Sequence, residues 1–181
     1  MKITFAEFRK MFYPTWIDLL SGWRGFGQYQ RLLDITETRE FAREKLEVIS
    51  NPVPELSELA AISDADEEHA DALLSILASP ELADYENSKR RWIALLLSQR
   101  LEELPSDPLY GLIGLTEFWS DAGFPSYSPH EIQGKGNEIS PQDYYTKDNY
   151  DKAVERHKRW LSNELETLQV GLRANGSMER R

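Results

Sequence analysis

The sequence predicts an all-α protein, an irregular helical bundle with one long ordered loop near residues 123–147. Apolar residues recur at steps of three and four in several segments, as they do along one face of an α-helix. The alternating runs of β-branched residues that are typical of strands are nearly absent. Proline, glycine and capping residues separate the periodic segments, which is how helices begin and end.

The length of 181 residues is typical of a single domain. The clearest break is the Pro-rich stretch 51–54, and we interpret it as a connector within one helical domain spanning residues 1–181. An alternative division gives an N-terminal lobe at 1–50 and a main bundle at 55–172. Residues 173–181 are expected to form a frayed tail.

The formal net charge is −10, from 21 Lys and Arg against 31 Asp and Glu. Acid is concentrated in the middle of the chain, since residues 51–100 carry 10 acidic and 4 basic residues and residues 101–150 carry 9 and 2. This balance argues against nucleic-acid binding, which needs cationic side chains to neutralise phosphates, and favours a basic protein partner.

The chain has no Cys, which excludes disulfides and Cys-ligated zinc. No apolar run approaches the ~20 residues of a membrane span, and the N-terminus lacks the core of a signal peptide. We therefore expect a cytoplasmic protein that does not bind membranes.

The first helices follow from capping patterns. Thr4 and Glu7 form a capping-box pattern before an apolar face of Phe residues, and Pro14 is expected to end or kink that helix. Thr15 begins the next helix, with Asp18 three residues later. Gly22, Gly25 and Gly27 are then expected to form a turn region, because their order is not a nucleotide-binding fingerprint.

Residues 28–50 are predicted to be largely helical, with Thr36 as an internal cap and Ile49 facing inward. Ser63 is predicted to begin another helix. Within that helix the acidic residues fall opposite the apolar face, and we name them the first acidic group: Asp64, Glu67, Glu68 and Asp71. A solvated helix start, a face for a basic partner and a metal site all remain open for this group.

Ser79 and Pro80 have the pattern of a further helix start. The run 92–97, WIALLL, is apolar on all sides and predicts a buried central segment. Pro105 ends this helix and Pro108 begins one that runs through Trp119. Between the two helices lies the second acidic group: Glu102, Glu103 and Asp107.

The loop from Gly123 to Lys147 contains several aromatic residues, which favours an ordered segment packed on the core. Ser140, Pro141 and Asp143 have the pattern of a short helix start within it. The last helix is predicted over residues 149–172. Its apolar stripe has steps of three and four: Tyr150, Val154, His157, Leu161, Leu165, Leu168 and Leu172.

No catalytic pattern is convincing. His69 is expected on the surface, His157 as a satisfied residue on the apolar stripe, and His130 as a residue that tethers the loop. The Gly-rich residues 134–137 lack the spacing of a phosphate-binding loop and predict a turn. We expect no catalytic residue, metal or cofactor. A hydrolase that uses His130 with Glu131 or Asp143, and a non-catalytic helical adaptor, remain alternatives.

Two regions carry a family resemblance. One is the run 92–97 followed by Asp107-Pro108-Leu109, and the other comprises FWSDAGFPSYSPHEIQGKGN (118–137), YYTKDNY (144–150) and HKRWLSNELETL (157–168). Together they resemble a domain-of-unknown-function family of bacterial immunity proteins, encoded beside polymorphic or contact-dependent growth inhibition toxins. The resemblance covers residues 89–168.

That resemblance implies a cytoplasmic protein that binds and neutralises one cognate toxin domain, as in toxin-antitoxin pairs, without turnover. If the toxin is a nuclease, its cleft is basic, and an acidic protein would be steered to it and would block it. The residues expected to bind this partner are the two acidic groups: Asp64, Glu67, Glu68, Asp71, Glu102, Glu103 and Asp107.

Overall fold

The computed structural model describes residues 3–176 of the chain, and the side chains of residues 3–168. The described residues form α-helices without a β-strand, which confirms the all-α prediction. No helix in this part of the chain combines the length and the apolar content needed to cross a bilayer. The helices are α1 (Phe5–Met11), α2 (Trp16–Arg24), α3 (Ile35–Val48), α4 (Pro54–Ala61), α5 (Glu67–Ala78), a 3-10 helix (Ser79–Asp84), α6 (Tyr85–Glu102), α7 (Pro108–Asp121), α8 (Pro141–Tyr144) and α9 (Lys147–Gly176).

The chain divides into two compact units, unit 1 (Met1–Phe26 and Gln30–Trp92) and unit 2 (Gly27–Tyr29 and Ile93–Arg181). The predicted connector at 51–54 lies within unit 1, and the organisation as one domain stays a prediction. Of the predicted tail, residues 173–176 continue helix α9, and residues 177–181 lie outside the described part of the chain.

Local capping signals decide where the helices of unit 1 begin. Helix α1 starts after Thr4 and helix α2 after Thr15, each with a capping box, and both starts confirm the sequence prediction. Helix α3 was predicted from residue 28 but begins at Ile35. Asp34 caps it by accepting a hydrogen bond from the Glu37 backbone N–H at 2.9 Å, so Thr36 lies in the first turn and is not the cap.

Other predicted boundaries also differ from the structure. Gly22 lies inside α2 and is not part of a turn; a Cβ at this position would come within 2.6 Å of the Trp92 ring. The helix ends at Gly25, whose φ is 73°. The helix predicted at Ser63 begins at Glu67, and Ser79 begins a 3-10 helix. Ile49 follows the end of α3 and is 39% exposed.

The interior of unit 1 combines aromatic rings with one buried ion pair. The Phe8 and Trp92 ring centroids are 4.3 Å apart. Asp18 and Arg91 are 0% and 2% exposed, and Arg91 Nε donates to Asp18 Oδ1 at 2.7 Å. Trp92 Nε1–H donates to the Asp18 carbonyl at 2.9 Å, so the residues around this ion pair connect α2 to the first turns of α6.

Helix α6 passes from unit 1 to unit 2 after Trp92, and its middle is buried. All six residues of the run 92–97 are at most 4% exposed, which confirms the predicted central segment. A core cluster then joins α7, α8 and α9: Leu112, Leu115, Tyr144, Tyr150 and Ala153. Gly111 allows the close approach of α9, because a Cβ at this position would lie 2.4 Å from the Tyr150 ring.

The short segment Gly27–Tyr29 also belongs to unit 2. The Gln28 backbone N–H donates to the Asp121 carbonyl at 2.7 Å, at the end of α7. The Tyr29 and Phe118 ring centroids are 6.4 Å apart. Three residues from the N-terminal part of the chain therefore complete the packing of unit 2.

The loop between α7 and α8 has no helix but is held by hydrogen bonds, as the ordered-loop prediction requires. Asn137 Nδ2–H donates to the Ile132 carbonyl at 2.9 Å, and Gln133 Nε2–H donates to the Ile139 carbonyl at 3.0 Å. Helix α8 begins after Ser140, as predicted. Along α9 the predicted stripe is buried or half-buried through Leu168, and Leu172 lies beyond the described side chains.

Candidate protein-binding surfaces

The first acidic group lies at the start of α5 in unit 1, and arginines from other elements compensate most of its charge. Arg39 Nη1 is 2.6 Å from Asp64 Oδ1. Arg31 Nη1 is 2.6 Å from Glu67 Oε1, and Arg24 contacts both oxygens of Asp71 at 2.8 and 2.6 Å. Three of the four predicted carboxylates are therefore already paired.

The pairing also changes the ionisation of these groups. The hydrogen bond from Arg24 lowers the pKa of Asp71, and the one from Arg31 lowers the pKa of Glu67. Glu68 is exposed and has no ion-pair partner among the described side chains. The structure thus brings the first acidic group together as a mixed surface of arginines and carboxylates.

The second acidic group is not compensated by cationic side chains of the described residues. Glu102 and Glu103 are exposed at the end of α6, and Asp107 is exposed just before α7. Asp107 Oδ1 accepts a hydrogen bond from the Tyr110 backbone N–H at 3.1 Å and so caps α7. None of the three has an ion-pair partner within residues 3–168, so three negative charges face solvent here.

An exposed apolar face follows directly on helix α7. Leu109, Tyr110 and Ile113 are 41%, 63% and 36% exposed, although Leu112 and Leu115 on the opposite side are buried. At 3.6 residues per turn the three exposed residues fall within about 100° of one another around the helix. We name this region the α7 surface, and it comprises Glu102, Glu103, Asp107, Leu109, Tyr110 and Ile113.

Sequence reasoning found the three carboxylates of the α7 surface but missed its apolar residues. Helix α7 is apolar on almost every side, so its pattern does not tell the buried face from the exposed one. The arginine nearest in sequence does not neutralise the surface. Arg100 donates to the Gly114 carbonyl at 3.1 Å and reaches the Glu117 carboxylate at 3.5 Å.

Two histidines form a buried polar cluster in unit 2. His157 Nδ1 lies 2.7 Å from the Ala153 carbonyl, which can only accept, so this nitrogen carries the proton. His157 Nε2 then accepts from Trp119 Nε1–H at 2.8 Å, which leaves the imidazole neutral. Burial lowers the pKa of His157 to about 4. The prediction of a satisfied histidine on the apolar stripe is confirmed.

His130, the second histidine of the cluster, lies next to His157, and their ring centroids are 5.4 Å apart. Its Nε2 is 2.8 Å from Thr116 Oγ1, which ties the loop to α7 as the loop-tether prediction expects. Burial lowers the pKa of His130 to about 3. General bases work best when their pKa lies near the working pH. A group with a pKa of about 3 is far from that condition at neutral pH, so the pKa of His130 does not favour a role as general base.

The carboxylates predicted as partners of His130 in a hydrolase have other contacts. Glu131 Oε1 is 3.3 Å from Arg156 Nη1. Asp143 Oδ2 accepts from Ser140 Oγ at 2.7 Å at the start of α8. The third histidine, His69, is exposed and lies 3.4 Å from Glu58. Over the described residues no three His, Asp or Glu side chains are gathered as a metal site would require. The hydrolase stays a prediction.

Residues 6–165 match the family described as "Uncharacterized protein conserved in bacteria (DUF2247)". The match includes the N-terminal half of the chain, beyond the residues 89–168 that carry the resemblance to immunity proteins. Its description names no toxin and no partner. No curated protein and no solved structure matches the chain.

Proposed function

We propose that this chain, which belongs to the bacterial family DUF2247, is a non-catalytic binding protein that holds a basic protein partner against its α7 surface. The observation that carries the proposal is the combination of three uncompensated carboxylates with three exposed apolar side chains in one short stretch, residues 102–113. Neither feature alone would identify a partner.

The apolar residues supply the part of the surface that is removed from water on binding. Contiguous exposed apolar patches on monomeric proteins often mark interaction sites. Tyr110, which is 63% exposed, has the amphipathic ring that is enriched among the residues that dominate binding energy. Each residue buried here would contribute through the loss of apolar area.

The carboxylates determine which partners are accepted. Residues 101–150 carry 9 acidic and 2 basic residues, so the potential around α7 attracts cationic proteins and repels acidic ones. The first acidic group contributes less than the sequence suggests, because three of its four members already neutralise arginines.

In its finer form the proposal is an immunity protein. The partner would be a cognate toxin domain in the cytoplasm, a nuclease whose basic active-site cleft is blocked by stoichiometric binding. The support for this form is the resemblance carried by residues 89–168 together with the charge of the α7 surface.

Replacing Tyr110 with Ala is expected to weaken binding to the protein encoded by the adjacent gene by at least about tenfold, because a central aromatic contact is worth about 2 kcal/mol.

Replacing Glu102 and Glu103 with Lys should slow association with the same protein and flatten the salt dependence of the association rate. Surface plasmon resonance at two salt concentrations measures both effects.

Glu68→Lys provides the matched control. Glu68 is an exposed carboxylate outside the α7 surface, and its replacement breaks no ion pair among the described residues. It changes the net charge in the same direction and should have little effect. If the α7 variants bind as tightly as the wild type with the same salt dependence, the α7 surface is not the binding site.

A further inference from the structure

A second surface feature, opposite in sign to the α7 surface, lies in unit 1 between the ends of α1 and α3. It is a groove with a volume of about 560 Å³, within the range of sites that take small ligands or peptide side chains. We name it the α1–α3 groove. Its lining residues that matter here are Arg9, Lys10, Phe12, Tyr13, Phe41, Glu44, Lys45, Glu47 and Val48.

The apolar part of the groove combines buried and exposed side chains. Phe12 and Phe41 are each 3% exposed and belong to the core of unit 1. Tyr13 and Val48 are 71% and 76% exposed, the two highest values among the large exposed hydrophobic residues of the described chain. The apolar exposure continues along the chain beyond the groove, at Ile49 and Val53.

The charges in the groove are unevenly compensated. Arg9 is paired with Glu44 at 2.8 Å, although its Nε–H is buried and has no hydrogen-bond acceptor. Lys45 Nζ lies 5.0 Å from the Tyr13 ring centroid and 4.9 Å from that of Phe41. Neither Lys10 nor Lys45 has a carboxylate partner among residues 3–168. The groove therefore contains two ammonium groups without an ion-pair partner among the described side chains, those of Lys10 and Lys45, and one such carboxylate, that of Glu47.

We propose that the α1–α3 groove binds an acidic, apolar peptide segment of another protein. A carboxylate of that segment would be held by Lys10 and Lys45, and its neighbouring apolar side chain would cover Tyr13 and Val48. This site is independent of the proposed function, because it lies in unit 1 and selects the opposite charge.

A polypeptide fits the groove better than a compact metabolite does. Ile49 and Val53, which follow Val48 in the sequence, are also exposed, at 39% and 51%, and would offer further apolar contacts to a peptide longer than the cavity. The charged residues that line the groove favour an acidic segment: Arg9, Lys10 and Lys45 outnumber Glu44 and Glu47, in a chain whose net charge is −10.

The experiment uses the full chain and a fluorescein-labelled peptide of alternating Glu and Leu, blocked at both ends, at about 0.15 M salt. We expect a saturable rise in anisotropy and shifts of the backbone amide signals of Tyr13, Lys45 and Val48. Lys45→Met should weaken binding about tenfold, because it removes one charge-assisted hydrogen bond. Val48→Ser should weaken it as well.

Lys152→Met provides the control, because Lys152 is an exposed lysine of α9 that already pairs with Asp148 at 2.7 Å. It should bind the peptide as the wild type does. Circular dichroism of each variant establishes that the fold is retained, which we expect because Val48 is exposed and Lys45 is only half-buried.

Several outcomes would overturn the proposal. Equal binding of the corresponding Gln and Leu peptide would remove the role of the lysines, and equal binding of hexanoate would replace the polypeptide with a small carboxylate. Absence of amide shifts in the groove would show that Lys10 and Lys45 serve only the C-terminal ends of α1 and α3, where cations are favoured in any case.

Discussion

Replacing Arg91 with Met is expected to lower the free energy of unfolding by about 3–5 kcal/mol. Arg91 Nε contacts Asp18 Oδ1 at 2.7 Å and Arg91 Nη2 contacts Asp84 Oδ2 at 2.7 Å, and Asp18 is fully buried. The variant would leave the Asp18 carboxylate without its counter-charge in the interior of unit 1. Urea unfolding of both proteins at neutral pH measures the loss.

The matched control is Lys89→Met on the same helix, which breaks an ion pair with Glu86 at the surface and should cost less than about 1 kcal/mol. The double variant Asp18→Asn, Arg91→Met should lose less stability than the sum of the two single variants, because it leaves no buried charge.

Burial already raises the pKa of Asp18, so the loss of stability in Arg91→Met should shrink as pH falls and the carboxyl takes up a proton. A loss as small as that of Lys89→Met would contradict the buried ion pair.

The second large effect is a fall in stability with acid, caused by the neutral histidines of unit 2. The pKa of His157 is lowered from 6.5 to about 4 in the folded protein. Between these values the unfolded chain binds a proton that the folded protein does not, so His157 contributes fully to stability above about pH 6.5. That contribution is lost as pH falls towards about 4, and it amounts to about 3 kcal/mol.

Several neighbours act on this cluster. His130, whose pKa is lowered to about 3, adds to the same acid sensitivity. The positive charge of Arg156 further disfavours protonation of both histidines, and Glu131 pairs with that arginine. The free energy of unfolding, measured by urea titration at several pH values between 7 and 4, gives the size of the effect.

His157→Gln tests the assignment, because Gln keeps an acceptor for the Trp119 N–H but does not titrate. Its unfolding free energy should fall less steeply between about pH 6.5 and 4 than that of the wild type. His69→Gln, at an exposed histidine outside this cluster, is the control for the loss of one imidazole. A His157→Gln slope as steep as that of the wild type would show that the acid sensitivity arises elsewhere.

The starts of α1, α2 and α8 and the buried centre were predictable because their causes are local. In the pairs Thr15 with Asp18 and Ser140 with Asp143, the cap and its hydrogen-bond partner lie within one turn. The run 92–97 is buried because no side of it is polar. At α3 the signal is equally local, since Asp34 and Glu37 cap each other three residues apart, but the predicted cap was Thr36, so the prediction of this start was wrong.

The candidate site was predictable only in part, because charge compensation is a tertiary property. The partners of Asp71, Glu67 and Asp64 are arginines separated from them by 47, 36 and 25 residues. No local pattern signals such pairs. The exposure of Tyr110 likewise depends on which side of α7 meets the core cluster.

The discontinuity of unit 2 determines how the chain can be dissected. A fragment that begins at Ile93 would lack the Gln28 N–H that satisfies the Asp121 carbonyl and the Tyr29 ring that packs near Phe118. No single cut of the chain therefore separates unit 1 from unit 2 with both intact. When unit 2 is expressed from a split gene, residues 27–29 would have to be supplied separately.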